Sequence, residues 1–246
     1  MEKLQVVHVT KSFGDNIIIK DVSIQLRSHE IVCLLGASGG GKTTLFHIIA
    51  GLHQPDAGQV LLDGRDITGR PGQISYMLQK DLLLPEKTIE DNVALAFLLQ
   101  GVKKKEARRR VAEYFPEFGL EGTQKQYPHQ LSGGMRQRAA LLRTYMFSND
   151  IALLDEPFSA LDMMTKRSMH QWFLNLMEKI QMSALFITHD IDEALLLSDR
   201  IYLLRGHPGT ITKELVLHEP KPRGGDFELS EEFRYYKSII LNELGL

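Results

Sequence analysis

Cysteine is nearly absent. Cys33 is the only one in 246 residues, so the chain can build neither an intrachain disulfide nor a cysteine-based metal site. It lies inside the apolar run Ile31 to Leu35, a setting that favours a small buried thiol over a ligand or a nucleophile. Long apolar stretches are missing too: none approaches the ~18 residues of a membrane-spanning helix. The start Met1-Glu2-Lys3-Leu4 lacks the charged-then-apolar layout of a signal peptide, so the expected location is the cytoplasm unless a partner holds the chain at a membrane. Excess charge of one sign is also lacking. With 29 Lys and Arg against 31 Asp and Glu the formal net charge is -2, which removes the broad basic footprint of a nucleic-acid-binding protein and leaves only local basic clusters open. There is no internal repeat, low-complexity segment or long linker. Pro220 to Asp226 is the one Pro/Gly-rich patch, expected to lead into a short closing helix and not another domain.

What remains is a chain that is 43% hydrophobic and 24% charged, enough for a full-size core in one domain or one domain plus a subdomain. Leu4 to Val9 and Val22 to Leu26 alternate apolar and polar residues as half-buried strands do, with Gly14-Asp15-Asn16 as a turn between two such runs. Ile31 to Leu35 is continuously apolar, which suits a strand covered on both faces of a parallel sheet. Lys42 to Ala50 reads as a helix stopped by Gly51. After an Asp63-Gly64 turn and a strand around Ile74 to Met77, the stretch from Thr88 to about Leu120 reads as mainly helical. Ile151 to Leu154 and Ala184 to Thr188 are further apolar strands, each followed by a polar loop and a helical pattern. Recurring strand, loop and helix predict an α/β fold.

The strongest chemical signal is Gly36-Ala-Ser38-Gly39-Gly40-Gly41-Lys42-Thr43, which matches G-x-x-x-x-G-K-[ST] and lies between an apolar strand and a helix. Glycines let the backbone curl so that main-chain N–H groups bind phosphate oxygens at a helix N-terminus. Lys42 supplies a fixed cation for the β and γ phosphates, and the Thr43 hydroxyl a ligand for magnesium. A second carboxylate for the metal and a group to handle water are both available in Ile151-Ala-Leu-Leu-Asp155-Glu156: Asp155 at the sheet end for magnesium, Glu156 as general base. A third element, Leu131-Ser132-Gly133-Gly134-Met135-Arg136-Gln137, is another Ser/Gly turn opening a helix, again suited to an anion.

Two phosphate grips in one chain, in this order, resemble the ATP-binding-cassette ATPases over about Leu4 to Val216. The resemblance implies a phosphate-loop NTPase core with an antiparallel β-subdomain and an α-helical subdomain, as a single nucleotide-binding domain over 1–246, the helical part at about 80–145 and a short C-terminal extension at about 218–246. It implies ATP and Mg2+, a homodimer in which the Ser132 turn closes over the γ-phosphate held by the opposite subunit, transmembrane permease subunits and, indirectly, an extracytoplasmic solute-binding protein; nucleic acid is not expected. Nucleotide contacts then fall to Phe13, to Gly36, Ser38, Gly39, Gly40, Gly41, Lys42, Thr43 and Thr44, and to Ser132, Gly133, Gly134 and Asp162. Metal contacts fall to Thr43, Gln79 and Asp155, and catalysis to Glu156, His189, Gln79 and Lys42. Each of three single residues also has a plainer reading: Phe13 as a core aromatic, His189 as a strand-end histidine, Gln79 as polar surface.

The run Leu131 to Arg138, Asp155-Glu-Pro-Phe-Ser-Ala-Leu-Asp162 and the His207-Pro208-Gly209 turn resemble importers of nitrate, sulfonates, taurine and pyrimidine precursors of thiamine. Efflux and lipoprotein-release members usually carry Thr-Gly-Asn after the acidic pair. The chain departs from the importer pattern at Glu86, where Trp is frequent, at Leu142-Arg-Thr-Tyr145 and at His29, which replaces a turn glycine. Leu82-Leu83-Leu84-Pro85 suits either a groove for a helix of the membrane partner or subdomain core. Lys103 to Arg110, basic at six of eight positions, suits an amphipathic helix with a solvated face, with attraction to anionic lipid as the lesser reading.

Overall fold

The computed structural model describes residues 2–148 and 150–245. Two sheets organise the fold. In the first, β1 (Glu2–Phe13), β2 (Asn16–Arg27), β4 (Ala57–Leu62) and β5 (Arg65–Asp66) run in the order β2-β1-β4-β5, all neighbours antiparallel. The second runs β10-β9-β3-β8-β7-β6, made of β3 (Ile31–Gly36), β6 (Ser75–Met77), β7 (Ile151–Asp155), β8 (Ser183–Thr188), β9 (Arg200–Arg205) and β10 (Thr210–Val216). All its pairs are parallel except β10 with β9.

Burial on both faces explains why the strands of the second sheet are continuously apolar. Ile31, Cys33, Leu35, Ala152, Leu154, Phe186 and Leu203 point into one core. The alternate residues Val32, Leu34, Ile151, Leu153, Leu185 and Leu204 point into the other, together with α1 (Lys42–Ile49) and the antiparallel sheet. The first core extends to the helices: α2 (Ile89–Val93), α3 (Leu95–Leu99), α4 (Lys104–Ala112), α5 (Gly133–Phe147), α6 (Met163–Ile180), α7 (Ile191–Leu197), α8 (Gly225–Glu228) and α9 (Glu231–Leu244). Cys33 is fully buried there, where desolvation pushes its thiol pKa up, as suits an inert small hydrophobe.

The stretch from Thr88 to Leu120 is mainly helical as expected, divided into three short helices and a set of turns. Gly101, at φ 82°, ends α3, and Gly119, at φ 64°, ends the turns after α4. The Thr88 hydroxyl caps α2 by accepting from Asp91 N. The fully buried Asn92 replaces missing backbone pairing in the preceding loop, accepting from Leu84 N and donating to the carbonyls of Leu84, Lys87 and Thr88. In α4 only Ala107 and Val111 are buried, so the basic face is solvated. Glu106 holds Arg109 and Arg110 at 2.9 Å each. His29 keeps the glycine-like φ of 63°, with its N–H donated to Ser183 Oγ. The closing helix is longer than the patch before it suggested: α9 packs Phe233, Tyr236 and Ile240 into the first core.

Asp91 ties α2 to α4 by a two-point bond, accepting from Arg108 Nε at 2.8 Å and Nη2 at 2.9 Å. That pair, helped by Lys104, holds the Asp91 carboxyl down at about 2 against an ordinary value of 3.8. A depressed carboxylate stabilises the fold above the unfolded pKa, and the contribution is lost as pH falls through the folded one. Arg108→Gln is therefore expected to cost about 1–2 kcal/mol at pH 7, with the deficit shrinking between about pH 4 and pH 2. Thermal melts of both proteins across this range check it; a deficit that stays constant with pH would assign the loss to packing.

Candidate functional site

Four neighbouring parallel strands, in the order β3-β8-β7-β6, end at the same edge of the sheet, and each is followed by a polar residue of the site. This is where an open parallel sheet places its ligands. From β3 comes the loop Gly36 to Gly41 that enters α1. Side chains are excluded at its two ends: a Cβ on Gly41, at φ 91°, would stand 2.5 Å from Ile19 Cγ2, and one on Gly36 would stand 2.3 Å from the Leu204 carbonyl oxygen. Lys42 folds back on this loop and donates to the carbonyls of Gly36 and Ala37, both at 2.8 Å. Burial lowers its pKa, partly offset by Glu156 and Asp155.

From β7 come Asp155 and Glu156. Asp155 is buried, and its Oδ2 accepts from Thr43 Oγ1 at 3.4 Å and from Tyr76 Oη at 3.3 Å. Desolvation is the main reason its pKa is raised; the Glu156 charge adds to this and the two hydroxyls oppose it. Glu156 adopts φ 45°, unusual outside glycine, with its N–H bonded to Ile187 O on β8 at 3.0 Å. The turn re-aims its carboxylate, and both oxygens are engaged. Gln79 Nε2, from the loop after β6, donates to Oε2 at 2.9 Å, while His189 Nδ1, from the end of β8, lies 3.1 Å from Oε1. The hydrogen bond of Gln79 thus goes to Glu156, not to Thr43 or Asp155.

Phe13 closes the antiparallel hairpin of β1 and β2 and is 49% exposed, which removes the core reading of this ring. His53 stands edge-on to it at 5.6 Å, and Lys11 Nζ lies 5.4 Å from its centre. His53 touches His47, and His47 touches Tyr76, so rings continue from Phe13 to the hydroxyl on Asp155. Burial lowers the His47 pKa. Tyr76 escapes sequence reasoning because a Tyr in a short strand reads as packing; the only signal is its place three residues before Gln79.

The Ser132 turn caps a helix as expected, away from the phosphate loop of its own chain. Ser132 Oγ caps α5 by accepting from Met135 N at 3.3 Å. What stands closest to Gly133 and Gly134 is Leu161, Thr165 and Met169, not the phosphate loop. Asp162 is likewise engaged locally, capping α6 by accepting from Met164 N and Thr165 N. One protomer therefore brings Gly36–Thr44, Asp155, Glu156, Gln79 and His189 to one edge and keeps Ser132, Gly133, Gly134 and Asp162 in a second group.

Leu82 to Pro85 does not form the apolar groove: Leu83 is buried and Leu82 is half exposed, its carbonyl accepting from Arg143. A groove of about 270 Å³ instead lies beside it, lined by Leu52, Tyr76, Leu95, Leu99, Arg143 and Phe147 among others. Leu52, Leu99 and Phe147 are exposed there.

This arrangement of a Gly-rich loop entering a helix, a strand-end carboxylate pair and a second Ser/Gly turn capping a helix is that of a nucleotide-binding cassette. The chain belongs to the ABC transporter family, whose profile matches residues 19–159, more than half of the chain. Among its relatives, the formylaminopyrimidine import ATP-binding protein ThiZ of Halalkalibacterium halodurans is 48% identical over 191 residues, covering 78% of this chain and 74% of that protein. The nitrate import ATP-binding protein NrtD of Synechocystis is 36% identical over 228 residues, covering 91% and 86%. The dimeric structure of MJ0796, a bacterial ABC transporter cassette, superposes with a TM-score of 0.74 at 30% identity, covering 88% of this chain and all of that one.

Proposed function

We propose that the chain is the ATP-hydrolysing subunit of an importer for a small solute of the nitrate, sulfonate, taurine or pyrimidine-precursor type. It works as a homodimer on the cytoplasmic face of the membrane, beneath permease subunits that a solute-binding protein supplies from outside. The observation that carries the hydrolytic part is the convergence of Gln79 and His189 on the two oxygens of Glu156, next to Asp155 and the phosphate loop. The solute class rests on the relatives named for import of formylaminopyrimidine and nitrate.

In this reading Lys42 exchanges the loop carbonyls for β- and γ-phosphate oxygens, and the adenine stacks on Phe13. Glu156 takes a proton from the attacking water as its oxygen bonds to the γ-phosphorus and the bond to ADP breaks. His189 and Gln79 fix the Glu156 carboxylate and hold the water in line. The donor set fits magnesium: Thr43 Oγ1 and Asp155 Oδ2, 3.4 Å apart, are hard oxygen donors already side by side next to the phosphate loop. Thr43 and Asp155 would hold it, with Gln79 joining if its side chain turns from Glu156. Its chemistry there is to neutralise charge on the β and γ oxygens. The groove beside Tyr76 suits a short helix of the permease.

Glu156→Gln is expected to bind ATP normally and to turn over at least about a hundredfold more slowly. Asp155→Asn is expected to lose magnesium-dependent nucleotide binding. Nucleotide binding with and without magnesium, beside steady-state hydrolysis, separates the two; near-normal turnover in Glu156→Gln would remove its assigned role.

Because the Ser132 turn stands apart from the phosphate loop of its own protomer, each site is completed by a second copy. Lys42→Ala and Ser132→Arg each damage both sites of their own homodimers. Mixing the two inactive proteins and allowing exchange makes about half the dimers mixed, with one intact site each, so about a quarter of sites are expected to recover. Hydrolysis that stays at background after verified exchange leaves two cases, a site complete in one chain or two obligatorily coupled sites. A covalently linked dimer with one damaged site distinguishes them, since ATP-driven closure occurs only in the second.

A further inference from the structure

Behind His189 lies a charged cluster that the chemistry above leaves unused. Glu193, in the first turn of α7, is 3% exposed. Its Oε2 accepts from Thr188 Oγ1 at 2.9 Å and faces Lys166 Nζ at 3.2 Å. Lys166 reaches over from α6 and also bonds Asp190 Oδ2 at 2.6 Å. Thr188 Oγ1 accepts from Asp190 N at 3.0 Å, and Asp190 Oδ1 accepts from Glu193 N at 3.1 Å. The two chain neighbours of His189 are thereby closed into one ring of bonds through Glu193.

The other Glu193 oxygen has no hydrogen-bond partner, and neither has His170 Nε2, which faces it from α6 at 3.9 Å. The His170 ring in turn packs edge-on against Phe158 at 4.9 Å, two residues beyond Glu156. Burial drives the His170 pKa down to about 4, so the ring is neutral at ordinary pH and Lys166 is the cation of the cluster. A buried carboxylate with one oxygen unsatisfied is costly, and capping α7 already falls to Asp190. What the cluster adds is a connection: it joins the His189 loop, the Glu156–Phe158 segment and the first turn of α6, where Lys166 N donates to Asp162 O at 2.8 Å.

We infer that Glu193 is a positioning residue for hydrolysis, holding Thr188 and, across His170, the Glu156–Phe158 segment so that the His189 ring meets the Glu156 carboxylate. This rests on the reading of Glu156 and His189 as hydrolytic groups. The ring of bonds acts through the Thr188 hydroxyl, which an isosteric substitution removes without opening a cavity.

The test measures kcat, KM for ATP and the melting temperature for Thr188→Val, Thr188→Ser and Glu193→Gln, each alone and combined with His189→Ala. Thr188→Val and Glu193→Gln are expected to lower kcat roughly tenfold with KM within about twofold, while Thr188→Ser keeps kcat within about twofold of the parent. In the His189→Ala background neither is expected to lower kcat further, because a residue acting through His189 has nothing left to position. Equal losses in both backgrounds, or a fall in Thr188→Ser as large as in Thr188→Val, would overturn the inference while leaving the hydrolytic reading intact. A His189→Ala protein with the parent rate would remove that reading and this inference together. Should Thr188→Val fail to fold, Glu193→Gln, which keeps the shape and an acceptor oxygen, carries the same comparison.

Discussion

Two carboxylates at consecutive positions, delivered by a buried strand to the edge of a sheet, are the constraint on which the rest of the structure depends. Asp155 and Glu156 cannot both face the same way along an extended chain, and the positive φ of Glu156 is how the backbone divides them. Asp155 stays with the buried hydroxyls of Thr43 and Tyr76, and Glu156 swings toward Gln79 and His189. The strain is held by a bond from Glu156 N to β8, the strand that also supplies His189. One backbone bond thus sets the geometry of two functional side chains relative to each other.

Much of this is legible in the sequence itself. A strand that is apolar at every position predicts burial on both faces, and β3, β7 and β8 divide their residues between two cores as that predicts. The phosphate loop was readable because its glycines answer steric demands on the spot, at Gly36 and Gly41. The acidic pair was readable because strand ends and sheet ligands coincide. Less visible was everything set by contacts distant in sequence. Nothing local separates Tyr76 from an ordinary strand aromatic, and only the fold brings its hydroxyl to Asp155, 79 positions away. The groove came out beside Leu82 to Pro85 and not on it, because Leu52, Tyr76, Leu99 and Phe147 come from four separate segments. The stretch from Thr88 to Leu120 is mainly helical as its pattern predicts, but its division into three short helices is not visible in that pattern; Gly101 and Gly119, both at positive φ, follow the α3 helix and the turns after α4.

Sequence order alone does not say how the phosphate loop and the Ser132 turn relate in space. The family resemblance assigns the Ser132 turn to the nucleotide held by the opposite subunit, and within one chain the turn and the phosphate loop have different neighbours. The Ser132 turn packs on α6 through Gly134, whose Cα is so close to Thr165 that a Cβ would stand 3.3 Å from its methyl group. The same helix begins at Asp162, six residues beyond Glu156. The Ser132 turn is thus in direct contact with α6.

That linkage gives the charged cluster at Lys166 its place in the fold. Glu193 is a poor choice for stability alone, since a well-packed apolar residue in its position would avoid the desolvation of a carboxylate. Its value is in specifying geometry. Lys166 stands one turn into α6, four residues after the Asp162 cap, so the charge that anchors Glu193 belongs to the helix against which the Ser132 turn packs. The hydroxyl of Thr188 and the ring of His170 meet the same carboxyl group from the strand and from the helix. A change in α6 is therefore felt at His189 through a path of three side chains, whereas a core of aliphatic contacts would let the loop slide. A buried ion pair in the place of such packing makes the orientation of His189 depend on the helix behind it, and through that helix on the surface where a second protomer would bring its phosphate.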